Sequence, residues 1–524
     1  MQDPPEPHQL RRQAQHAERA GQRIVALRKL DELISLGYAD AADWCLTGRL
    51  LSEVGEFAQA LGAFQNCLQR APQHVEARYE LGRTLYKLGD VERAAALIEQ
   101  IAEESGHAEM WMSLATLAPA VPSFTHQRVR QIREKFAAIV RHAELPQADL
   151  QRKAFKRKPS TAVLKLGYLS AHWHEANYMK PVWPLISAHD RRRFEIHLFD
   201  DGPPNSSAWQ WLSNAAQTHR LSGLSNSRAA EYIQDAQIDI LVDLSAYSKP
   251  ERLGLFVHRP APVQIAWFNM YATSGFREFD YIISDRLALH SDEHRFYTER
   301  VLELPVSYLT FQTNHPAPPV VASPVAGRGF FTFGCLGTMY KITPEVVAAW
   351  AEILRNASQS RLILSNRELK SLCNQDFLLE QFESLGVKGQ RIEILPPVNH
   401  YEYLKYYDQI DLALDTFPYN GGTTTMEAIW QGVPVLTFNG DRWACRTSRS
   451  ILGNSHLSEF VVENYEQYIL TAVEFATDLE SQATLLASRP AMREQLLVSK
   501  VCNIRHFAQQ MEVLYANAYL SPAR

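Results

Sequence analysis

Residues recur at a spacing of 34 across the first hundred positions, and this period constrains the fold more than any other feature. Gly48, Leu51, Gly55, Ala60 and Phe64 are followed 34 positions on by Gly82, Leu85, Gly89, Ala94 and Ile98. In the other direction Ala14, Gly21, Ala26 and Leu30 stand 34 positions before Gly48, Gly55, Ala60 and Phe64. A period of this length gives one pair of antiparallel helices per repeat. Small residues at 48/82 and 60/94 let the two helices approach, and the large ones fill the gap between them. Gly55 and Gly89 fall in the turns, where glycine takes a positive φ at little cost. The pattern predicts repeats at about 5–38, 39–72 and 73–106, then a degenerate cap containing Trp111 and Leu114. Three repeats are near the minimum that buries a continuous core.

The spacing is that of the tetratricopeptide repeat, whose stacked hairpins offer a concave surface to a protein partner. A scaffold that packs only on the next domain is the alternative. The full length of 524 residues leaves room for about three domains. Lysine and arginine number 53 against 58 acids, a net charge of −5, which disfavours a generally basic nucleic-acid binder but leaves room for a local basic patch. No run of about 18 apolar residues predicts a membrane span. The first residues, MQDPPEPHQLRRQ, lack the apolar core of a secretory signal. Cys45, Cys67, Cys335, Cys373, Cys445 and Cys502 are scattered without a CxxC pair. They read as free thiols of a reducing cytoplasm, not as a disulfide framework or a zinc site. The basic stretch Gln151–Pro159 reads as a solvated linker rather than a phosphate patch.

From residue 163 the pattern changes to short apolar runs alternating with helical stretches. Strands are expected at 163–170, 194–199, 238–244, 263–267 and 281–284, with a helix at 227–237. The proline-rich segment 315–324 reads as an interdomain linker. Strands resume at 330–335, 361–365, 391–395, 412–415 and 434–438, with helices at 344–356 and 423–430. Alternation of this kind builds parallel sheets, here two Rossmann-like units with ligands expected at the carboxyl ends of the strands.

Two segments carry chemistry. In Leu414–Trp430 a strand ends at Asp415, a Pro/Asn/Gly/Gly turn follows, and Thr423, Thr424 and Thr425 open a helix. Unpaired amides at a helix N-terminus carry positive partial charge, and Gly421 and Gly422 let a ligand reach the backbone. This is a diphosphate seat. A well-capped helix is the alternative. Glu427, one turn into the helix, is placed to accept from ribose hydroxyls. In Phe333–Pro344 a strand again runs into a turn and a helix, with Lys341 at the strand's carboxyl end to neutralise a diphosphate. The alternative is an exposed, solubilising lysine.

These motifs together resemble the O-linked N-acetylglucosamine transferase family, relatives of which include the SPINDLY-type protein O-fucosyltransferases and bacterial N-glucosyltransferases. Further matches are Ile240–Tyr247, Arg259–Trp267, Thr273–Gly275, Asp280–Asp285 and Tyr340–Pro344. The resemblance covers about residues 160–510 and the repeats. It implies an α plus α/β chain, tetratricopeptide hairpins followed by a GT-B fold. Its divisions are repeats at 1–120, a helical and basic linker at 121–160, an acceptor-side Rossmann-like domain at 161–318 and a nucleotide-sugar domain with C-terminal helices at 325–524. It implies a protein glycosyltransferase that inverts the anomeric carbon without a metal, with a nucleotide-sugar as co-substrate and no cofactor. The expected acceptor is serine or threonine of a polypeptide held by the repeats and cleft, in the cytoplasm. Carried over by position, Lys341 stabilises the departing diphosphate, flanked by Thr338 and Tyr340. Gly421, Gly422, Thr423, Thr424 and Thr425 hold its phosphates and Glu427 the ribose. His400 or Tyr401 lies near the base, and Gln264 near the phosphate side of the cleft.

The chain departs from the family's pattern in three places. Leu336–Thr338 lacks the usual amide side chain before the lysine. Phe268–Thr273 puts Asn269 and Tyr271 where a glycine and a proline are usual, which reshapes the sugar pocket. The family's cleft histidine falls on Ala176, with His172 and His174 just before it. Either histidine suits a general base or a substrate-orienting group. Asp243, at a strand's carboxyl end, is a further acid or base candidate, or else a turn aspartate bonding backbone amides. Two other readings stay open. One is transfer of a different sugar (glucose, fucose or a nonulosonic acid) to an adhesin or flagellin. The other is a non-catalytic sugar-nucleotide-binding scaffold.

Overall fold

The computed structural model describes residues 6–145, 158–159, 161–204, 216–313 and 315–520. Most of the basic stretch before Pro159 lies outside them. The chain forms two compact units, one of residues 1–117 and 336–398 and one of 118–335 and 399–524.

The first unit opens with three helical hairpins, Pro7–Arg19 with Arg23–Ser35, Ala41–Val54 with Phe57–Arg70, and Val75–Lys87 with Val91–Ser105. These coincide with the three expected repeats. The glycine positions explain the period. A Cβ on Gly48 would lie 2.6 Å from the Phe64 ring, and one on Gly82 would lie 2.7 Å from Ile98. Gly55 and Gly89 both take φ of 89° in the turns. The cap helix Ala108–Leu117 buries Trp111 and Leu114. Residues 336–398 of this unit carry the helices Pro344–Asn356 and Leu372–Ser384 and two paired parallel strands, which are β9 (Arg361–Leu364) and β10 (Ile392–Ile394) in chain order. This part is tied to the repeats. Asn374 bridges Gly55 O and Ala58 N at 2.9 Å each.

The second unit holds a seven-stranded parallel sheet of β1 (Leu164–Ser170), β2 (Phe194–Asp200), β3 (Gln217–Arg220), β4 (Ile240–Asp243), β5 (Val263–Ala266), β6 (Tyr281–Asp285) and β7 (Arg300–Leu304). Its order is β3-β2-β1-β4-β5-β6-β7. The central strands are apolar because both faces are covered. A second group of parallel strands runs β8 (Thr332–Cys335), β11 (Leu412–Leu414), β12 (Val435–Phe438) and β13 (Val461–Val462). The helix Ile504–Leu520 returns to the first sheet, where Tyr168 donates to the Tyr515 hydroxyl at 3.1 Å and buried His189 meets Glu512 at 3.1 Å. β3, β7 and β13 were not expected from the sequence. They are edge strands; β13 has two residues, and the polar Gln217–Arg220 gives no apolar run to read.

Candidate active site

The turn after β11 is built around Asp415. One carboxylate oxygen accepts from the backbone N–H of Thr416 (3.0 Å) and of Gly421 (2.8 Å), and the other from the Thr437 hydroxyl (2.9 Å). Asn420 donates to Thr416 O at 2.7 Å and closes the turn. A Cβ on Gly421 would lie 2.5 Å from the Thr425 hydroxyl and 2.7 Å from that of Thr424, so only glycine fits. Gly422 is less crowded, with Thr447 the nearest side chain at 3.6 Å. The helix Thr423–Trp430 starts on Gly422 without a side-chain cap. Its first amides have no carbonyl within the helix to bond. Thr423 and Thr424 are half-buried, whereas Thr425 is buried and paired with Ser448 at 2.8 Å. The arrangement is a rigid loop that presents amides and two hydroxyls to an anion.

One turn further, Glu427 is buried and engaged by a residue the sequence did not suggest. Lys180 Nζ lies 2.7 Å from Glu427 Oε1 and 3.0 Å from His400 Nε2. Burial pushes the Glu427 carboxyl up, but His400 and Lys180 outweigh it and hold it below the usual carboxylate range. His315 packs edge-on to His400 with ring centres 4.7 Å apart. Tyr401 is exposed, with the Lys405 ammonium 5.0 Å from its ring centre.

The loop after β5 holds Phe268, Asn269 and Tyr271 at φ of 51°, 59° and 55°. Non-glycine residues rarely occupy this region, so the loop must be over-determined by its surroundings. Asn269 donates to Leu244 O at 3.0 Å, and the Tyr271 ring lies 4.8 Å from that of Tyr419. Fully buried Arg133, from the helix His126–Glu144, donates to Met270 O (3.0 Å) and Thr273 O (2.7 Å). Glu299 accepts from the Thr273 hydroxyl at 2.7 Å and from Ser274 N at 2.6 Å.

After β1, His172 lies 3.1 Å from Glu175 through Nδ1 and 2.9 Å from the Ser248 hydroxyl through Nε2. His174 also faces Glu175, at 3.5 Å. Both histidines therefore share one carboxylate.

One expectation needs correction, and one open alternative is decided. Gln264 does not face a cleft. It is fully buried and donates to Phe256 O and Glu278 O, which makes it a core link between loops. Asp243 is likewise inside, accepting from the N–H of Ser245 (3.0 Å) and Ala246 (3.1 Å), as a turn aspartate does. Burial pushes its carboxyl up to about 7 against those two bonds. A folded-state value raised this far stabilises the fold below the unfolded carboxyl's range and loses that contribution as pH climbs towards 7. Wild type should therefore lose about 2 kcal/mol relative to Asp243→Asn between pH 5 and pH 8. Parallel thermal melts of the two proteins check this, and a pH-independent difference would refute it.

In the first unit, Lys341 ends the short turn Met339–Lys341, ahead of the helix Pro344–Asn356 capped by Thr343. The neighbouring Tyr340 ring stacks on Tyr86 of the third repeat at 5.1 Å, and a Cβ on Gly89 would lie 2.3 Å from Ile342 O. The repeat thus buttresses the lysine-bearing turn. Thr338, at the start of that turn, is exposed. Also in this unit, the donor atoms of Cys45, Cys67 and His74 lie within 4.8 Å of one another. Burial lifts the Cys45 thiol to about 12, and half-buried His74 accepts the Ala77 N–H through Nδ1 at 3.2 Å.

Residues 121–316 and 330–511 match the model of glycosyl transferase family 41, and residues 51–117 match a tetratricopeptide repeat. The chain belongs to glycosyl transferase family 41. A solved mutant of the O-GlcNAc transferase of Thermobaculum terrenum superposes on this family-41 chain with a TM-score of 0.82 and 27% identity, over 98% of this chain and 97% of the other. The two sheets thus form the GT-B fold. A probable UDP-N-acetylglucosamine–peptide N-acetylglucosaminyltransferase SPINDLY of Eustoma exaltatum subsp. russellianum is 31% identical over 64% of this chain and 37% of its own length. Its counterpart in Arabidopsis thaliana is 30% identical over 68% and 39%. The family-41 chain spans less than two fifths of the length of these curated relatives. Among the described residues no helix is long and apolar enough to cross a membrane.

Proposed function

We propose that the protein transfers a sugar from a nucleoside-diphosphate sugar, UDP-N-acetylglucosamine or a close relative, to a serine or threonine of a polypeptide, with inversion. The observation that carries this is the Asp415-braced Gly421–Thr425 turn in a chain of this family. The amides of the helix start and the hydroxyls of Thr423 and Thr424 bind the diphosphate. Lys341 supplies the charge that a departing diphosphate needs, so the leaving group requires no metal. Glu427 takes the ribose, and His400 and Tyr401 border the base. His172, its Nδ1 side held by Glu175, is the better base candidate than His174 for the acceptor hydroxyl. The division at 161–318 and 325–524 assigns acceptor and donor sides, and the repeats at 1–120 hold the acceptor chain. A groove of about 1520 Å³ lined by Trp44, Leu51, Phe57, Arg367 and Leu372 is the surface along the repeats assigned to that chain.

A different donor sugar is the second reading, favoured by Asn269 and Tyr271 in the strained loop. Thermal melts with UDP, GDP, CMP and TDP separate the donor classes. One nucleotide at 100 times its dissociation constant should stabilise the protein by about 2.7 kcal/mol. Transfer from the matching sugar nucleotides to a peptide, with and without EDTA, then follows. Failure of every nucleotide at millimolar concentration would sink the donor-site assignment. Binding without turnover would leave a sugar-nucleotide-binding scaffold.

A further inference from the structure

Lys180 stands outside every motif of the sequence. It lies in the segment joining β1 to the helix Trp183–Ala188, next to fully buried Met179. Its side chain is 0% exposed. An ammonium buried to this degree persists only with partners, and here they are Glu427 Oε1 at 2.7 Å and His400 Nε2 at 3.0 Å. The ammonium donates to Glu427 Oε1, and His400 Nε2 lies 3.3 Å from that same oxygen, so three polar groups converge on one point. One Glu427 oxygen is thereby fixed from the first-sheet side, and the carboxylate plane is set by a residue 247 positions away in sequence.

We infer that Lys180 is a positioning residue of the donor site, holding the Glu427 carboxylate for the sugar hydroxyls of the nucleotide. The inference rests on the ribose role proposed for Glu427. Lys180 itself touches no substrate; it acts through the carboxylate. Without it, Glu427 keeps only His400 as a neighbour, its plane is no longer fixed, and it accepts a ribose hydroxyl poorly.

The test compares UDP and GDP with their 2′-deoxy and 3′-deoxy counterparts by calorimetry. For the nucleotide that binds, wild type should prefer the ribo form by about tenfold, the worth of one charge-assisted hydrogen bond. Glu427→Gln should reduce that preference to less than about twofold, and Lys180→Met should do the same. Lys180→Arg, which keeps the charge and the donors, should retain most of it. Lys180→Gln runs beside the methionine variant, so a folding defect in one leaves the other to decide. A purely packing role would weaken ribo and deoxy nucleotides equally and keep the ratio. A ratio lost in Glu427→Gln but kept in the folded Lys180 variants overturns the inference alone. A wild type that does not distinguish ribo from deoxy, or binds neither nucleotide, overturns the ribose reading and the inference with it.

Discussion

Replacing Lys341 by alanine should lower turnover by about 100- to 1000-fold while changing nucleotide affinity by less than about tenfold. The asymmetry follows from when charge develops. On the proposed reading, the two phosphates of the bound sugar nucleotide already have the amides of the Thr423–Trp430 helix and two hydroxyls. The additional negative charge appears only as the glycosidic bond breaks, and a group that meets it there acts on the transition state alone. Single-turnover measurements with saturating donor isolate this step. An alanine variant within threefold of wild type would remove Lys341 from the chemistry. The buttress adds a graded test. Tyr86 stacks on Tyr340 at 5.1 Å, so Tyr86→Ala should loosen the turn and lose part of the same rate without touching substrate.

The second large effect is expected at Asp415. Its carboxylate satisfies Thr416 N, Gly421 N and the Thr437 hydroxyl, all buried. Alanine strands three donors, each costing about 1–3 kcal/mol when left unsatisfied. Part of the loss is relieved by rearrangement of the turn, so a net destabilisation of about 3–5 kcal/mol is expected. The rearrangement also dismantles the phosphate seat, and nucleotide-induced stabilisation should vanish in any Asp415→Ala protein that still folds. An alanine variant with wild-type melting and wild-type nucleotide response would show that the turn holds itself.

The parts of the fold that the sequence displayed are those where one contact repeats or one strand is buried on both faces. Gly48 against Phe64 and Gly82 against Ile98 are the same contact made twice, and a contact made twice leaves a period. The central strands are rich in apolar residues, as in Ile240–Asp243 and Tyr281–Asp285. The edge strands at 217–220 and 461–462 are short or polar, and nothing local distinguishes them from loop. In the site, the Gly-Gly-Thr-Thr-Thr turn was legible because its chemistry is contiguous. Lys180 was not, because its meaning comes from a carboxylate far along the chain. Gln264 was misplaced, and Asp243 left open between two readings, for the opposite reason. A polar residue at a strand end looks the same in sequence whether it faces ligand or ties down a loop.

The return of the Ile504–Leu520 helix to the first sheet bears on how the chain matures. Tyr515 meets Tyr168 across 347 residues of sequence. A ribosome adding about 5–20 residues per second needs roughly 20–70 s to span that interval. From Leu304 onward, roughly the last 10–40 s of that interval, the first sheet is complete in strands but lacks the helix that covers Tyr168 and His189. The nascent protein therefore carries an uncovered apolar surface until residues 504–520 are made. Slow translation or an early stop favours aggregation and chaperone engagement over a folded front half.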